Sequence, residues 1–150
     1  MSKSIFLSLL LLASFQIQAQ ILNPVHWEFS ASGKNSNHTL HLKARLDPGW
    51  HIYAQVQPKE AIAIPTQVSF APNPEVDLEG KTREIGQKEK YNDPGSGIIQ
   101  FQYENNLELA QTVHLKSKKG TVVKGTINYQ VCTNEQCLPP KTIPFTITLH

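Results

Sequence analysis

Beyond residue 24 the chain alternates apolar and polar positions with a period of two, the spacing of half-buried strands rather than of helices. Leu40, Leu42, Ala44 and Leu46 alternate with His41, Lys43 and Arg45, and Pro48-Gly49 then supplies a turn. Trp50, Ile52, Ala54 and Val56 alternate with His51, Tyr53 and Gln55. Shorter stretches repeat the pattern at Val25–Phe29, Gln67–Phe70 and Ile99–Tyr103. Leu107, Leu109, Val113 and Leu115 share one face; Val123, Gly125, Ile127, Tyr129 and Val131 share another; Ile143, Phe145, Ile147 and Leu149 close the chain. No connecting stretch carries a convincing helical period. About eight short strands, each with one wet face, predict an all-β antiparallel sandwich. Ala71 to Gly97, rich in proline, glycine and charge, breaks the pattern and is expected to form one or more long loops.

The first residues belong to a different regime. Lys3 gives a positive start, Ile5 to Ala13 is an apolar run, and Ile17-Gln18-Ala19 offers a small residue for cleavage. This is the pattern of a secretory signal, and the apolar run is short of the ~20 residues of a membrane span. Residues 1–19 are therefore expected to be removed, leaving 20–150 as one exported, soluble domain with no membrane insertion. No cysteine follows the apolar run, so a lipid anchor is not expected. The formal charge is +2, and the densest basic run, Lys116-Ser117-Lys118-Lys119, reads as a solvated turn. Nucleic-acid binding has no electrostatic footprint here.

Against that background the two cysteines carry the chemistry. Cys132 and Cys137 stand in Tyr129-Gln130-Val131-Cys132-Thr133-Asn134-Glu135-Gln136-Cys137-Leu138-Pro139-Pro140. A close pair in an exported chain can form a disulfide, yet one closing about six residues stabilises a fold by only about 2 kcal/mol. If the strand beginning at Thr121 runs on unbroken, Cys132 falls on the face opposite the core. The polar residues 133–136 turn the chain, and Cys137 lies across that turn at the sandwich rim. Three readings remain: a redox pair, a bridge that pins a loop in a non-enzymatic binding module, or a metal site. The six histidines show no ligand spacing near the cysteines and a second CxxC pair is missing, which weakens the metal reading. Hydrolase and nucleotide-binding motifs are missing as well.

The cysteine string, together with Asp47-Pro48-Gly49-Trp50-His51-Ile52-Tyr53, resembles the amino-terminal periplasmic domain of the thiol:disulfide interchange protein DsbD. The likeness runs from about Val25 to Leu149. It implies an immunoglobulin-like sandwich with Cys132 and Cys137 as a redox-active pair and no cofactor or metal. It further implies periplasmic thiol–disulfide interchange: electrons are received from a membrane-embedded thiol reductase and passed to thioredoxin-like periplasmic proteins. By position, Tyr53 matches an aromatic residue near the pair, and His51 stands where relatives often carry another aromatic. The family shields its cysteines with a cap loop; the matching stretch is about Thr82 to Tyr91, with Ile85 as the expected cap residue. Cys137, on the turn side, is the expected interchain sulfur. The chain stops where full-length relatives continue into a membrane domain, so a stand-alone version is expected.

Overall fold

The computed structural model describes residues 22–150, so the predicted signal sequence and its Ala19 cleavage position lie outside the described residues. Among the described residues eleven strands form three antiparallel sheets. The first sheet has the order β1-β2-β8-β5, built from Val25–Lys34, Asn37–Leu46, Asn106–Leu115 and Val76–Ile85. The second is β10-β3-β7-β6, built from Val131–Cys132, His51–Tyr53, Ile99–Glu104 and Lys88–Asn92. The third is β11-β9-β4, built from Lys141–Leu149, Thr121–Tyr129 and Gln67–Phe70.

The period-two residues make the core, as their alternation requires. Leu40, Leu42, Ala44, Leu107, Leu109 and Val113 from the first sheet meet Val123, Ile127, Phe145 and Ile147 from the third, with Ile52 and Tyr103 from the second. Gly125 lies in this inward phase because the Phe145 ring and the Ser69 carbonyl occupy the space where a side chain would go. Two of the connections that pass the chain between sheets are single residues. Asn105, in the left-handed backbone region at φ 61°, joins β7 to β8, and its carbonyl accepts from Leu46 N–H at 2.8 Å. Gln130 interrupts the ladder between β9 and β10, and the chain steps from the third sheet into the second.

Two expectations are corrected by this architecture. The stretch from Ala71 to Gly97 contains β5 and β6, not loops alone. β5 is an edge strand, almost wholly exposed, with a register shift between Glu79 and Arg83 around Gly80 at φ 68°. Charge and a bulge are what protect a sheet edge from pairing with another chain, and the same features hide a strand from a hydrophobic pattern. The second correction concerns Cys132. The strand from Thr121 is interrupted at Gln130, yet its phase carries across: Val131 joins the core cluster and Cys132 lies on the opposite face, beside His51, but that face is not the wet one expected. Val131 and Cys132 are both buried, and Cys132 is only 1% exposed.

Candidate functional site

The site is assembled on one face of the second sheet. In the antiparallel register Cys132 stands opposite His51, which stands opposite Glu104. Tyr53 is opposite Gln102, and Gln100 is opposite Tyr91. Directly paired residues share a face, so the parity of β3 puts His51, Tyr53 and Cys132 together. Period-two logic would make this the wet side. It is instead roofed: His51 and Tyr53 are each 4% exposed. The roof comes from the loop after β3 and from the turn 133–137. Ile62, Ala63, Tyr91, Asp93 and Gln136 line, with His51, Tyr53 and Cys137, a cleft of about 380 Å³.

Cys132 and Cys137 are joined as a disulfide, with Cα atoms 4.0 Å apart. The intervening turn is fixed locally. Thr133 N–H donates to the Gln136 carbonyl at 2.7 Å, the Thr133 hydroxyl accepts from the N–H groups of Glu135 and Gln136 at 3.1 Å each, and Leu138 N–H returns to the Val131 carbonyl at 3.0 Å. The bridge is asymmetric in consequence. Cys132 is held in the strand, beneath the aromatic rings, while Cys137 is exposed at the cleft.

The polar surroundings favour the buried sulfur. The Tyr53 hydroxyl donates to Cys132 Sγ at 3.2 Å. Burial, reinforced by the neighbouring Tyr91, pushes the Tyr53 phenol above its ordinary value, so it remains a donor at neutral pH. The Tyr53 carbonyl accepts from the buried Thr66 hydroxyl at 2.6 Å, which ties the far end of the roofing loop to the strand below. His51 packs edge-on against Tyr53, with ring centroids 5.3 Å apart, and lies near-parallel to Tyr91 at 6.4 Å. Burial lowers its imidazole from 6.5 to about 4, so it is neutral at pH 7. The unfolded chain therefore binds a proton that the folded chain refuses between about pH 6.5 and 4. Stability from this group is complete above that window and is lost as pH falls through it, by at most roughly 3 kcal/mol. Urea melts at pH 7 and pH 4.5 are expected to show a smaller acid loss in His51→Phe than in the unaltered protein; equal losses would place the imidazole in water.

Four of the five residues singled out from the sequence thus meet: Cys132, Cys137, His51 and Tyr53. Ile85 does not join them. It sits on β5 opposite Glu108 and lines a separate cleft of about 680 Å³ with Trp27, Lys43 and Arg45. Within the stretch expected to cap the pair, Tyr91 is the residue that reaches the cleft. Sequence reasoning passed over Ile62 and Ala63, although an apolar Ala-Ile-Ala-Ile run set between Pro58 and Pro65 was a readable signal. It also passed over Glu84. That side chain is only 9% exposed, and its carboxylate accepts from the Gln55 N–H, from the Tyr103 hydroxyl at 2.9 Å and from Lys88 Nζ at 2.6 Å. Burial, followed by the bond to Glu84, raises the Tyr103 phenol. Among the described residues no group of three or more His, Cys, Asp or Glu side chains could hold a metal ion.

A β-sandwich bearing one short-loop disulfide, with one sulfur held inside and one presented in a cleft, has the design of a thiol–disulfide exchange domain. The sequence matches the family described as thiol:disulfide interchange protein DsbD, N-terminal, over residues 18–149, and the chain belongs to that family. It has the immunoglobulin-like sandwich of that domain and shares the family's thiol–disulfide interchange role, with the cysteine pair in place of a cofactor. Among solved structures it is similar to the reduced Neisseria meningitidis DsbD N-terminal domain, at 20% identity and a TM-score of 0.56, covering 85% of this chain and 90% of that one. It is also similar to a structure of the complex between the DsbD N-terminal and PilB N-terminal domains of Neisseria meningitidis, at 16% identity and a TM-score of 0.50, covering 87% and 93%. No curated protein matches the sequence.

Proposed function

We propose that this chain is a periplasmic electron relay, in which Cys137 exchanges disulfides with protein partners and Cys132 resolves the adduct. The observation that carries this reading is the asymmetry of the bridge. Disulfide exchange requires in-line attack at a reachable sulfur and proceeds through a mixed disulfide. Cys137 is exposed at the cleft, whereas Cys132 is covered. In the reduced state Cys137 attacks the partner's disulfide, and one partner sulfur leaves as a thiolate. Cys132 then attacks Cys137 Sγ, re-forms the internal bridge and releases the second partner sulfur. Two electrons pass to the partner.

The surroundings of Cys137 suit a protein partner. Ile62 is 77% exposed, Val56 70% and Ile64 36%, all on the loop between β3 and β4. That loop is anchored beneath its exposed tip by Thr66 on Tyr53 and by Gln57, whose amide donates to the Phe101 carbonyl at 2.6 Å and accepts from its N–H at 2.9 Å. A partner that brings a sulfur to Cys137 must cover the cleft's apolar lip at Ile62 and Ala63. A thioredoxin-like domain is the acceptor in this reading, and a membrane-embedded thiol reductase is the donor. The N-terminal domain pair in the Neisseria complex supports a domain-sized partner. Among the described residues no helix is long and apolar enough to cross a membrane.

The test is an asymmetric trap. Reduced Cys132→Ala protein mixed with an oxidised thioredoxin-like domain is expected to accumulate a mixed disulfide stable to non-reducing electrophoresis. Cys137→Ala is expected to accumulate none. Failure of both variants to form an adduct would remove the relay reading, and an adduct only through Cys132 would reverse the assigned roles.

A further inference from the structure

We propose that His51 takes the proton from Cys132 as Cys132 resolves the mixed disulfide held on Cys137. The inference rests on the exchange role just described and adds to it the fate of the proton.

Resolution poses a problem that the exposed cysteine does not share. Only a thiolate attacks a disulfide, and burial in apolar surroundings favours the protonated thiol. Cys132 is 1% exposed, so its thiol must lose a proton inside the protein. His51 is the residue directly across the strand pair from it, a relation that places the two Cβ atoms roughly 5 Å apart. The imidazole is buried on the same face, held between the Tyr53 and Tyr91 rings, and lines the cleft that contains Cys137. It is neutral at pH 7 and so free to accept.

The other titratable groups facing this position act differently. Tyr53, on the same strand, is a donor to the sulfur and is kept protonated by burial. Tyr91, on β6, contributes a ring face. Asp93 is engaged by the Ser96 and Gly95 N–H groups and the Ser96 hydroxyl, which hold its carboxyl low. Glu104 on β7 and Glu135 on the turn are exposed carboxylates. Transfer to a carboxylate would leave one buried anion with no counter-charge. Transfer to imidazole creates a thiolate–imidazolium pair in which each charge stabilises the other. The thiolate thereby raises the basicity of the histidine that made it.

The step balances. Cys132 S–H gives its proton to a His51 ring nitrogen. The thiolate attacks Cys137 Sγ, the Cys132–Cys137 bond forms, and the Cys137–partner bond breaks. The partner leaves as a thiolate and is reprotonated by the imidazolium, directly or through solvent. The chain ends oxidised by two electrons and His51 ends neutral.

The imidazole titration, followed by NMR in the full chain, tests this without a partner. In the oxidised protein the midpoint is expected near 4. Reduction with a small dithiol is expected to raise it by a unit or more. The rise should persist in Cys137→Ser, which keeps the Cys132 thiol, and vanish in reduced Cys132→Ser. An unchanged midpoint on reduction, or a rise that survives in Cys132→Ser, would overturn the proposal. Because only this chain and dithiothreitol are used, a failed partner trap and a failed proton coupling remain separate results. As a second readout, with both cysteines present, His51→Phe and His51→Tyr are both expected to slow release of the partner from the Cys137 mixed disulfide about tenfold at pH 7, a factor equal to one pH unit, with recovery at higher pH. A release rate and pH profile matching the unaltered protein in both variants would also overturn it.

Discussion

A Cys132→Ser/Cys137→Ser double variant is expected to lose all exchange with protein disulfides while staying folded, about 2 kcal/mol less stable than the oxidised protein. The two effects are unequal for a physical reason. The bridge spans a sequence separation of 5, so the loop it removes from the unfolded ensemble is short. The sandwich does not depend on it: residues of all three sheets share one buried cluster without the sulfurs. Serine is the suitable replacement at 132 because its hydroxyl still accepts from Tyr53, whose O–H would otherwise lose its acceptor. Urea melts and an exchange assay against an oxidised thioredoxin-like domain separate the outcomes. A variant that no longer folds would make the bridge a structural necessity, and one that still exchanges would remove the cysteines from the chemistry.

Glu84→Ala is expected to produce the largest stability loss of any single side chain around the site, about 3 kcal/mol, with a fall in Tm of roughly 10 °C. The carboxylate is the common acceptor for the Gln55 N–H, the Tyr103 hydroxyl and Lys88. Its removal leaves the half-buried Gln55 N–H and the hydroxyl of the buried Tyr103 without their acceptor, and Lys88 without its counter-charge. Glu84→Gln keeps the shape and one acceptor oxygen and is expected to lose about half as much. The position also bears on function. Gln55 begins the loop that carries Ile62 and Ala63 over the cleft. Loosening it should speed reduction of the bridge by a small thiol. A thermal melt within a degree or two of the unaltered protein would show that water replaces the carboxylate at little cost.

Much of the fold was readable because a sandwich strand writes its burial directly into alternate residues. β2, β8 and β11 follow that rule, and their inward residues are those of the pattern. β5 did not, since an exposed edge strand has no apolar face to display. The cysteine pair was legible from its spacing and from the export signal that the first residues are expected to form. Its setting was only half legible. The parity of β3 correctly grouped His51 with Tyr53, but burial of that face depends on how the loop after β3 and the turn 133–137 fold back over it, which period two does not report. The orientation of Cys132 was legible even across Gln130, where the chain changes sheet, because Val131 keeps the core phase and Cys132 pairs with His51 on the other face. Ile85 failed as a cap because β5 belongs to the first sheet and the sulfurs to the second. Tyr91 reaches the cleft because β6 pairs with β7 in the sulfurs' own sheet.

The reduction potential of the Cys132–Cys137 couple in the purified domain, measured by equilibration against a dithiol buffer, tests most directly whether the bridge is opened and closed in service. The account predicts a reversible two-electron couple above roughly −300 mV, within reach of thiol–disulfide partners. A potential well below that value, the range of permanent structural disulfides, would contradict it.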